Sequence, residues 1–174
     1  MLLFLLRHST LDHMKFSLLT ALLLVLFFSC QPSNSPDTPA AASAPTKDES
    51  FRKALETHLE AVTTKDFPAL KETVPASGEL MWILPSGGYF TTAADFLENH
   101  EVWLQDTAWT MTTKVIQADW GQDYGTATVE ADLREPERNG KPYFHRMFIT
   151  YALKKMDDKW MVVMDHASTI EKSE

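Results

Sequence analysis

The sequence predicts an α+β domain in which a curved antiparallel sheet wraps around three N-terminal helices. Two observations predict it. Apolar residues recur at the spacing of helices up to Asp106, and from Trp109 onwards they alternate with polar residues at the two-residue period of strands. Helices followed by a run of antiparallel strands are typical of α+β domains, and such a sheet must curl around the helices to cover its apolar face.

Three helices are expected before the strands. Asp48 or Ser50 can cap the first helix, Asp66 caps a short second one, and Thr91 or Thr92 caps the third. Each of these side chains can accept a hydrogen bond from a backbone N–H of the first helical turn. All three helices therefore have a start signal.

The predicted strands form two groups. A short strand at residues 79–84 and a brief return strand at 89–90 flank a Pro-Ser-Gly-Gly turn. The longer strands cover residues 109–120, 124–134, 143–155 and 160–170. The segments between the longer strands are tight turns at 121–123 and 157–159 and a loop at 135–142.

The N-terminal segment has the organisation of a secretory signal. Lys15 precedes an apolar core from Phe16 to Phe28, and the small residue Ser29 stands before Cys30, the only cysteine. This arrangement resembles a bacterial lipoprotein signal, in which the chain is cut before the cysteine and the cysteine carries lipid. We therefore expect membrane attachment through lipid on Cys30. An uncut signal anchor and an ordinary secretory signal with a chance cysteine are the alternatives.

The chain is predicted to have three parts. Residues 1–29 are the signal peptide, with Met14 as the more natural start, and residues 30–47 are the lipidated cysteine and a tether rich in Pro, Ala, Ser and Thr. Residues 48–174 form one domain. The predicted location is the cell envelope, with the outer membrane or periplasmic face favoured because Gln31, and not Asp, follows the cysteine.

Charge and composition exclude several functions. The chain carries a net charge of −8, which argues against nucleic acid as a partner. Once Cys30 is lipidated, the domain has no cysteine for a disulfide or thiolate chemistry. Its histidines are scattered without metal-ligand spacing, and it has no glycine-rich phosphate loop. We predict neither a metal nor a cofactor.

The order of elements and three short segments resemble the nuclear transport factor 2-like superfamily, and within it SnoaL-like domains and the calcium/calmodulin-dependent kinase II association domains. The segments are KDFPAL at 65–70, LPSGG at 84–88 and KWMVVMDHAS at 159–168. The resemblance covers about residues 50–170 and implies a cystatin-like fold in which the curved sheet is cone-shaped. It also implies a pocket between the sheet and the helices and a homodimer formed through the sheet. Because this superfamily includes isomerases, cyclases, dehydratases, transport adaptors and ligand binders, it does not imply a substrate.

Aromatic residues around the third helix are the first candidates for a ligand site. Trp103 and Trp109 can line the implied pocket, and His100 shares a helix face with Trp103. The alternative is that these side chains fill the core, which is the favoured role of Trp82 and Trp160. His100 is a weak candidate for an acid or base, and a structural histidine is the favoured alternative.

The last strand carries a polar pair, Asp165 and His166. Neighbours on a strand point to opposite faces, so one of the two can face the pocket. Strict alternation gives one face with Trp160, Val162, Met164, His166 and Ser168, and another with Met161, Val163, Asp165 and Ala167. Both faces are largely apolar, and periodicity does not say which one lines the pocket.

Arg146 and Glu130 are the remaining candidates. Arg146 stands between phenylalanines and could bind an anionic ligand, although an ion pair with Glu130 or Asp132 on the adjacent strand is favoured. A buried Glu130 would have a raised pKa and could act as a general base.

The function predicted from the sequence is a lipid-anchored cell-envelope protein that binds a small, partly apolar molecule without identifiable catalysis. One alternative is an enzyme of the SnoaL or ketosteroid isomerase kind, which transfers a proton on a carbonyl compound. The other is a dimerisation or interaction module. The weak catalytic candidates are His100, Glu130, Asp165 and His166, and the ligand-binding candidates are Trp103, Trp109 and Arg146.

Overall fold

The structure is a computed structural model that describes residues 49–174. Cys30, the predicted signal peptide and the tether lie outside the described residues. The helices are α1 (Ser50–Thr63), α2 (Phe67–Lys71) and α3 (Ala93–Gln105), and the strands are β1 (Glu79–Ile83), β2 (Tyr89–Thr92), β3 (Thr110–Trp120), β4 (Tyr124–Arg138), β5 (Lys141–Met156) and β6 (Lys159–Lys172). None of the helices in this part of the chain has the length and apolar character needed to cross a membrane.

All six strands of the described domain belong to one sheet, in the order β2-β1-β6-β5-β4-β3. Strands β3 to β6 form the predicted antiparallel meander, and the α+β fold is confirmed. The sheet is nevertheless mixed, because β1 pairs with β6 in parallel. The prediction of a purely antiparallel sheet is wrong at this one pairing, since the chain returns through α3 and the meander before β6 joins β1.

The predicted loop at 135–142 is instead a continuation of two strands. Strand β4 runs to Arg138 and β5 begins at Lys141, so only Asn139 and Gly140 connect them. Both connecting residues have positive φ, 56° and 81°. Asn-Gly is the residue pair that a tight hairpin of this twist prefers, because both positions need left-handed backbone. The Arg138 guanidinium binds the carboxylate of Glu135 and fixes this arm.

Two of the three predicted helix caps are present. The Asp66 carboxylate accepts a hydrogen bond from the N–H of Ala69 at 2.9 Å, and the Thr92 hydroxyl accepts one from the N–H of Asp95 at 3.1 Å. The first helix differs, because Ser50 is already its first helical residue and no side chain caps it. The Ser50 hydroxyl instead accepts a hydrogen bond from the indole N–H of a tryptophan on β6. The other predicted cap, Asp48, lies outside the described residues.

The core lies between the helices and one face of the sheet, here called the inner face. Phe51 of α1 is fully buried there, stacked on Trp120 at 5.0 Å and edge-on to Trp160 at 5.2 Å. The close approach of this ring depends on Gly125, where an added Cβ would lie 2.5 Å from a ring carbon of Phe51. Helix α1 is thereby fixed against β3, β4 and β6.

Strand β6 contains a bulge that decides which residues face inwards. Leu153 on β5 is opposite Val162, but the next residue back, Ala152, is opposite Met164, so Val163 is an extra residue in the ladder. An extra residue reverses the alternation of faces beyond it. Val162 before the bulge and Asp165 after it are consequently both buried on the inner face. The face assignment predicted by strict alternation is wrong from this point onwards.

Candidate functional site

A cavity of about 350 Å³ opens between the inner face of the sheet and helices α1 and α3. Most of its wall is apolar or aromatic, and only a few of its side chains are polar. The apolar and aromatic lining residues are Val62, Trp82, Leu84, Pro85, Trp103, Met111, Leu133, Met147, Ile149, Tyr151 and Ala167. The other lining residues are Asn99, His100, His145 and Asp165. A cavity of this size and character suits a small organic molecule.

Asp165 sits in a row of three cavity residues across the sheet. It is opposite Tyr151 on β5 and opposite Trp82 on β1. Directly opposed residues on one face have their Cβ atoms about 5 Å apart. Asp165 therefore lies between Tyr151 and Trp82 on the inner face of the sheet.

The carboxyl group of Asp165 is buried and has no partner of its own. The residue is 7% exposed, and within residues 49–174 no hydrogen bond or ion pair reaches it. Burial raises its pKa to about 7 from an ordinary value of 3.8, because the charged form loses hydration. Burial, and then the neighbouring Asp165, raises the pKa of Tyr151 well above its ordinary range, so the phenol keeps its proton.

His100 contributes a neutral imidazole to the cavity wall. Its Nδ1 donates a hydrogen bond to the carbonyl of Phe96 at 2.8 Å, which leaves Nε2 as an acceptor. Burial lowers the pKa of His100 to about 4, against the opposing effect of that hydrogen bond. The ring lies 3.8 Å from the Phe96 ring and 4.8 Å from the Trp82 ring. The predicted candidate thus faces the cavity as a neutral group.

A second buried histidine supports the cavity from behind. His58 of α1 is fully buried and lies edge-on to the Tyr151 ring at 5.1 Å. Its Nδ1 is 2.7 Å from the hydroxyl of Thr73, which itself donates to the carbonyl of Leu70. The hydroxyl must then accept from Nδ1–H, and Nε2 is left without a partner in the described chain. Burial, and then the repulsion that a protonated His58 would meet from a protonated His100, lowers the pKa of His58 to about 3.

The two predicted tryptophans have different positions. Trp103 lines the cavity, whereas Trp109 lies behind it, 1% exposed and stacked on the Trp103 ring at 4.3 Å. The indole N–H of Trp109 donates to the carbonyl of Trp103 at 3.2 Å. The Lys65 ammonium covers the ring of Trp109 at 4.1 Å. Trp109 therefore supports the cavity wall and is not itself part of it.

Three other predicted candidates lie on the outer face, away from the cavity. Arg146 binds Glu130 at 2.6 Å and Glu171 at 3.5 Å, so the favoured prediction of a structural ion pair is confirmed. His166 is exposed, because the bulge in β6 turns it outwards and its neighbour Asp165 inwards. We do not assign these side chains to the site.

Sequence reasoning did not single out Tyr151 and Trp82 as partners of Asp165. Tyr151 stood on a correctly predicted strand face, but its opposition to Asp165 depends on the register after the bulge. For Trp82 the sequence favoured a role in the core. Its position beside Asp165 depends on the pairing of β1 with β6, for which the sequence has no local signal. His145, which also lines the cavity, is 2.8 Å from the Thr169 hydroxyl through Nε2. Within the described residues, no three His, Cys, Asp or Glu side chains come together as a metal site.

A curved α+β sheet with an open cavity under its helices is the architecture of the nuclear transport factor 2-like class, and comparison with solved structures confirms it. A nuclear transport factor 2-like superfamily protein from Salmonella enterica is 17% identical with a TM-score of 0.59, over 72% of this chain and 92% of that one. A ketosteroid isomerase-like protein from Erwinia carotovora atroseptica is 14% identical with a TM-score of 0.60, over 72% and 99%. The association domain of C. elegans CaMKII is 17% identical with a TM-score of 0.53, over 70% and 94%.

These identities show a shared fold and not a shared activity. No family model matches the sequence, and no curated protein matches it. The predicted resemblance is confirmed as a resemblance of fold, and the function has to be argued from the cavity.

Proposed function

We propose that this domain binds a small, partly apolar molecule in the cavity. The observation that carries the proposal is the composition of the wall, in which aromatic and aliphatic side chains outnumber a few polar ones. The apolar wall would supply affinity, and Asp165, Tyr151 and His100 would orient the molecule. The volume of about 350 Å³ limits the ligand to a small molecule.

Native mass spectrometry tests this proposal. The full chain is purified in a non-ionic detergent without added ligand, and a denatured sample identifies what was released. A co-purified small molecule that is lost in Trp103→Ala and kept in Trp160→Phe supports the proposal, because Trp160 lies in the core outside the cavity wall. A protein that is empty and also fails to bind added aromatic probes would contradict it.

A second candidate function is proton transfer on a carbonyl compound. It is favoured by one observation, a buried carboxyl with a pKa of about 7 beside a protonated phenol. A carboxylate with such a pKa is an effective general base near neutral pH, and a phenol can donate a hydrogen bond to a developing enolate oxygen. In this role Asp165 would accept the proton and Tyr151 would hold the oxygen.

Deuterium exchange distinguishes this enzyme from a pure binder. 2-Tetralone, which has acidic protons next to its carbonyl, is incubated with the protein in D2O and followed by NMR. An enzyme would accelerate exchange above the buffer rate, Asp165→Asn would abolish the acceleration, and Asp132→Asn on the outer face would keep it. Exchange at the buffer rate with the wild-type protein would reject the catalytic function.

We also propose that the domain forms a homodimer through the outer face of the sheet. Large apolar side chains on the sheet are exposed there, among them Phe148 at 43% and Tyr124 at 54%. The association domain among the similar structures supports assembly as a property compatible with this fold. Sedimentation should give a dimer for the wild type and a monomer for Phe148→Glu. A monomeric wild type at micromolar concentration would contradict the proposal.

The remaining proposal is that lipid on Cys30 anchors the protein in the cell envelope. With it we propose the three parts of the chain: a signal peptide at 1–29, the lipidated cysteine and tether at 30–47, and the domain at 48–174. It rests on the order of charge, apolar run, small residue and single cysteine in the sequence. Several acyl chains hold a protein on a membrane far more firmly than one. Cys30→Ala should move the protein from the membrane to the soluble fraction, with Ser33→Ala as the control. Unchanged membrane retention of Cys30→Ala would refute it.

A further inference from the structure

When it ionises, Asp165 presents the cavity with a charge that no side chain within residues 49–174 neutralises through an ion pair or a hydrogen bond. A buried carboxylate is costly unless a cation or several hydrogen bonds compensate it. Lys65, which covers Trp109 behind the cavity wall, and Arg138, whose charge acts on His145, are both used elsewhere. Lys65 donates to the carbonyls of Asp106 and Trp109, and Arg138 binds a glutamate on the β4–β5 arm. Among residues 49–174, no lysine or arginine lines the cavity.

The surroundings of this carboxyl group favour a cation from outside. Trp82 and Tyr151 flank it across the sheet, and Trp103 of α3 supplies a third aromatic ring to the same cavity. Aromatic faces attract ammonium groups within about 6 Å, and the attraction grows when the site is shielded from water. A carboxylate between aromatic rings therefore offers an ammonium group both a counter-ion and a cage.

The other titratable groups in the cavity do not repel a cation. His100 is held neutral by burial, and its Nδ1 is committed to the carbonyl of Phe96, so Nε2 can accept a hydrogen bond. His145 has a pKa lowered by burial and by the nearby charges of Lys172 and Arg138. An anionic ligand, in contrast, would meet the Asp165 carboxyl group, and no lysine or arginine among the described lining residues would compensate the repulsion.

We propose that the cavity selects a molecule with an apolar body and a protonated amine, and that the ammonium group binds the Asp165 carboxylate between Trp82 and Tyr151. The proposal rests on the proposed binding function and defines the chemical class of its ligand. The apolar body then occupies the part of the cavity lined by Met147, Ile149 and neighbouring aliphatic side chains.

Three probes that differ only in their polar group test the proposal: 1-naphthylmethylamine, 1-naphthylmethanol and 1-naphthoic acid. Their binding to the full chain is measured by calorimetry at pH 8 in a non-ionic detergent. We expect the amine to bind at least tenfold more tightly than the alcohol, and the acid to bind more weakly than either. Repeating the amine titration at pH 7 in buffers of different ionisation enthalpy should show that binding releases protons, because Asp165 must ionise to pair with the ammonium group.

Variants separate the carboxylate from general effects on the cavity. Asp165→Asn should weaken the binding of the amine at least tenfold and change the affinity for the alcohol less than twofold. Asp132→Asn is the matched control, because Asp132 lies on the outer face in a bond to Arg134 and should leave all three affinities unchanged. The comparison of amine with alcohol in the wild type needs no variant, so a poorly folding Asp165→Asn would not block the test.

Two results would overturn the proposal in different ways. If the alcohol binds and the amine binds no more tightly, the ligand class is wrong while the binding function stands. If none of the three probes binds, the ligand class and the proposed binding function both fail.

Discussion

Replacing Asp165 by asparagine should stabilise the ligand-free protein at neutral and alkaline pH. In the wild type the folded state holds a proton on this carboxyl up to about pH 7, whereas an unfolded chain releases it near 3.8. A group whose pKa is raised by folding favours the folded state at low pH, and this advantage is lost as the pH rises to the folded pKa. Asparagine has nearly the same shape and no charge, so it removes this loss.

The expected size follows from the two pKa values. A difference of about three pH units at about 1.4 kcal/mol per unit corresponds to roughly 4 kcal/mol between pH 4 and pH 8. This is an upper figure, because water entering the open cavity would hydrate part of the charge. The free energy of unfolding of Asp165→Asn minus that of the wild type should therefore rise steadily between pH 4 and pH 7 and then level off.

Urea unfolding monitored by tryptophan fluorescence, at half-unit steps from pH 4.5 to pH 8.5, measures this difference. Taking the difference between the two proteins cancels the titration of all other groups. Asp132→Asn should show no comparable rise, because Asp132 is paired with Arg134 on the outer face. A difference between Asp165→Asn and wild type that stays constant with pH would refute the claim that burial keeps this carboxyl protonated.

Three further changes test other parts of the structure. Gly125→Ala should cost about 1–3 kcal/mol in urea unfolding, since its Cβ would overlap the Phe51 ring, whereas Gly121→Ala, with its nearest atom at 3.8 Å, should cost much less. The wild type should lose stability as the pH falls from 6.5 to 5, because the unfolded chain takes up a proton on His58 while the buried imidazole, with a pKa of about 3, stays neutral. In His58→Leu the free energy of unfolding should fall by about 2 kcal/mol less over this range. Equal losses in both proteins would contradict this. Trp103→Ala should weaken the binding of 1-naphthylmethanol at least fivefold, and the variant should keep a cooperative melting transition. Loss of that transition would show that Trp103 is a core residue.

Local signals predicted most of the fold because each one acts over a few residues. Asp66 and Thr92 cap helices where their short polar side chains precede an apolar pattern. The Asp157-Asp158 turn was predicted, and both residues adopt positive φ. The Asn139-Gly140 turn carried an equally strong local signal, but the polar residues around it lacked the alternation on which the strand prediction depended.

The site was harder to predict because it depends on two non-local events. The bulge at Val163 selects Asp165 over His166 for the cavity, and strict alternation cannot locate an extra residue. The parallel pairing of β1 with β6 then brings Trp82 beside the carboxyl group from more than 80 residues away. The sequence could therefore name Asp165 as a candidate, but it could not predict the aromatic residues on either side.

The position of β6 also sets the order in which this domain can be completed. It is the last of the strands within residues 49–174, yet it lies inside the sheet between β1 and β5, and the β1–β2 hairpin joins the sheet only through it. A ribosome must therefore synthesise β6 before the hairpin can dock on the sheet. Contacts this distant in sequence slow folding. A stop codon before β6 would leave the hairpin without its neighbouring strand and the cavity without its carboxylate.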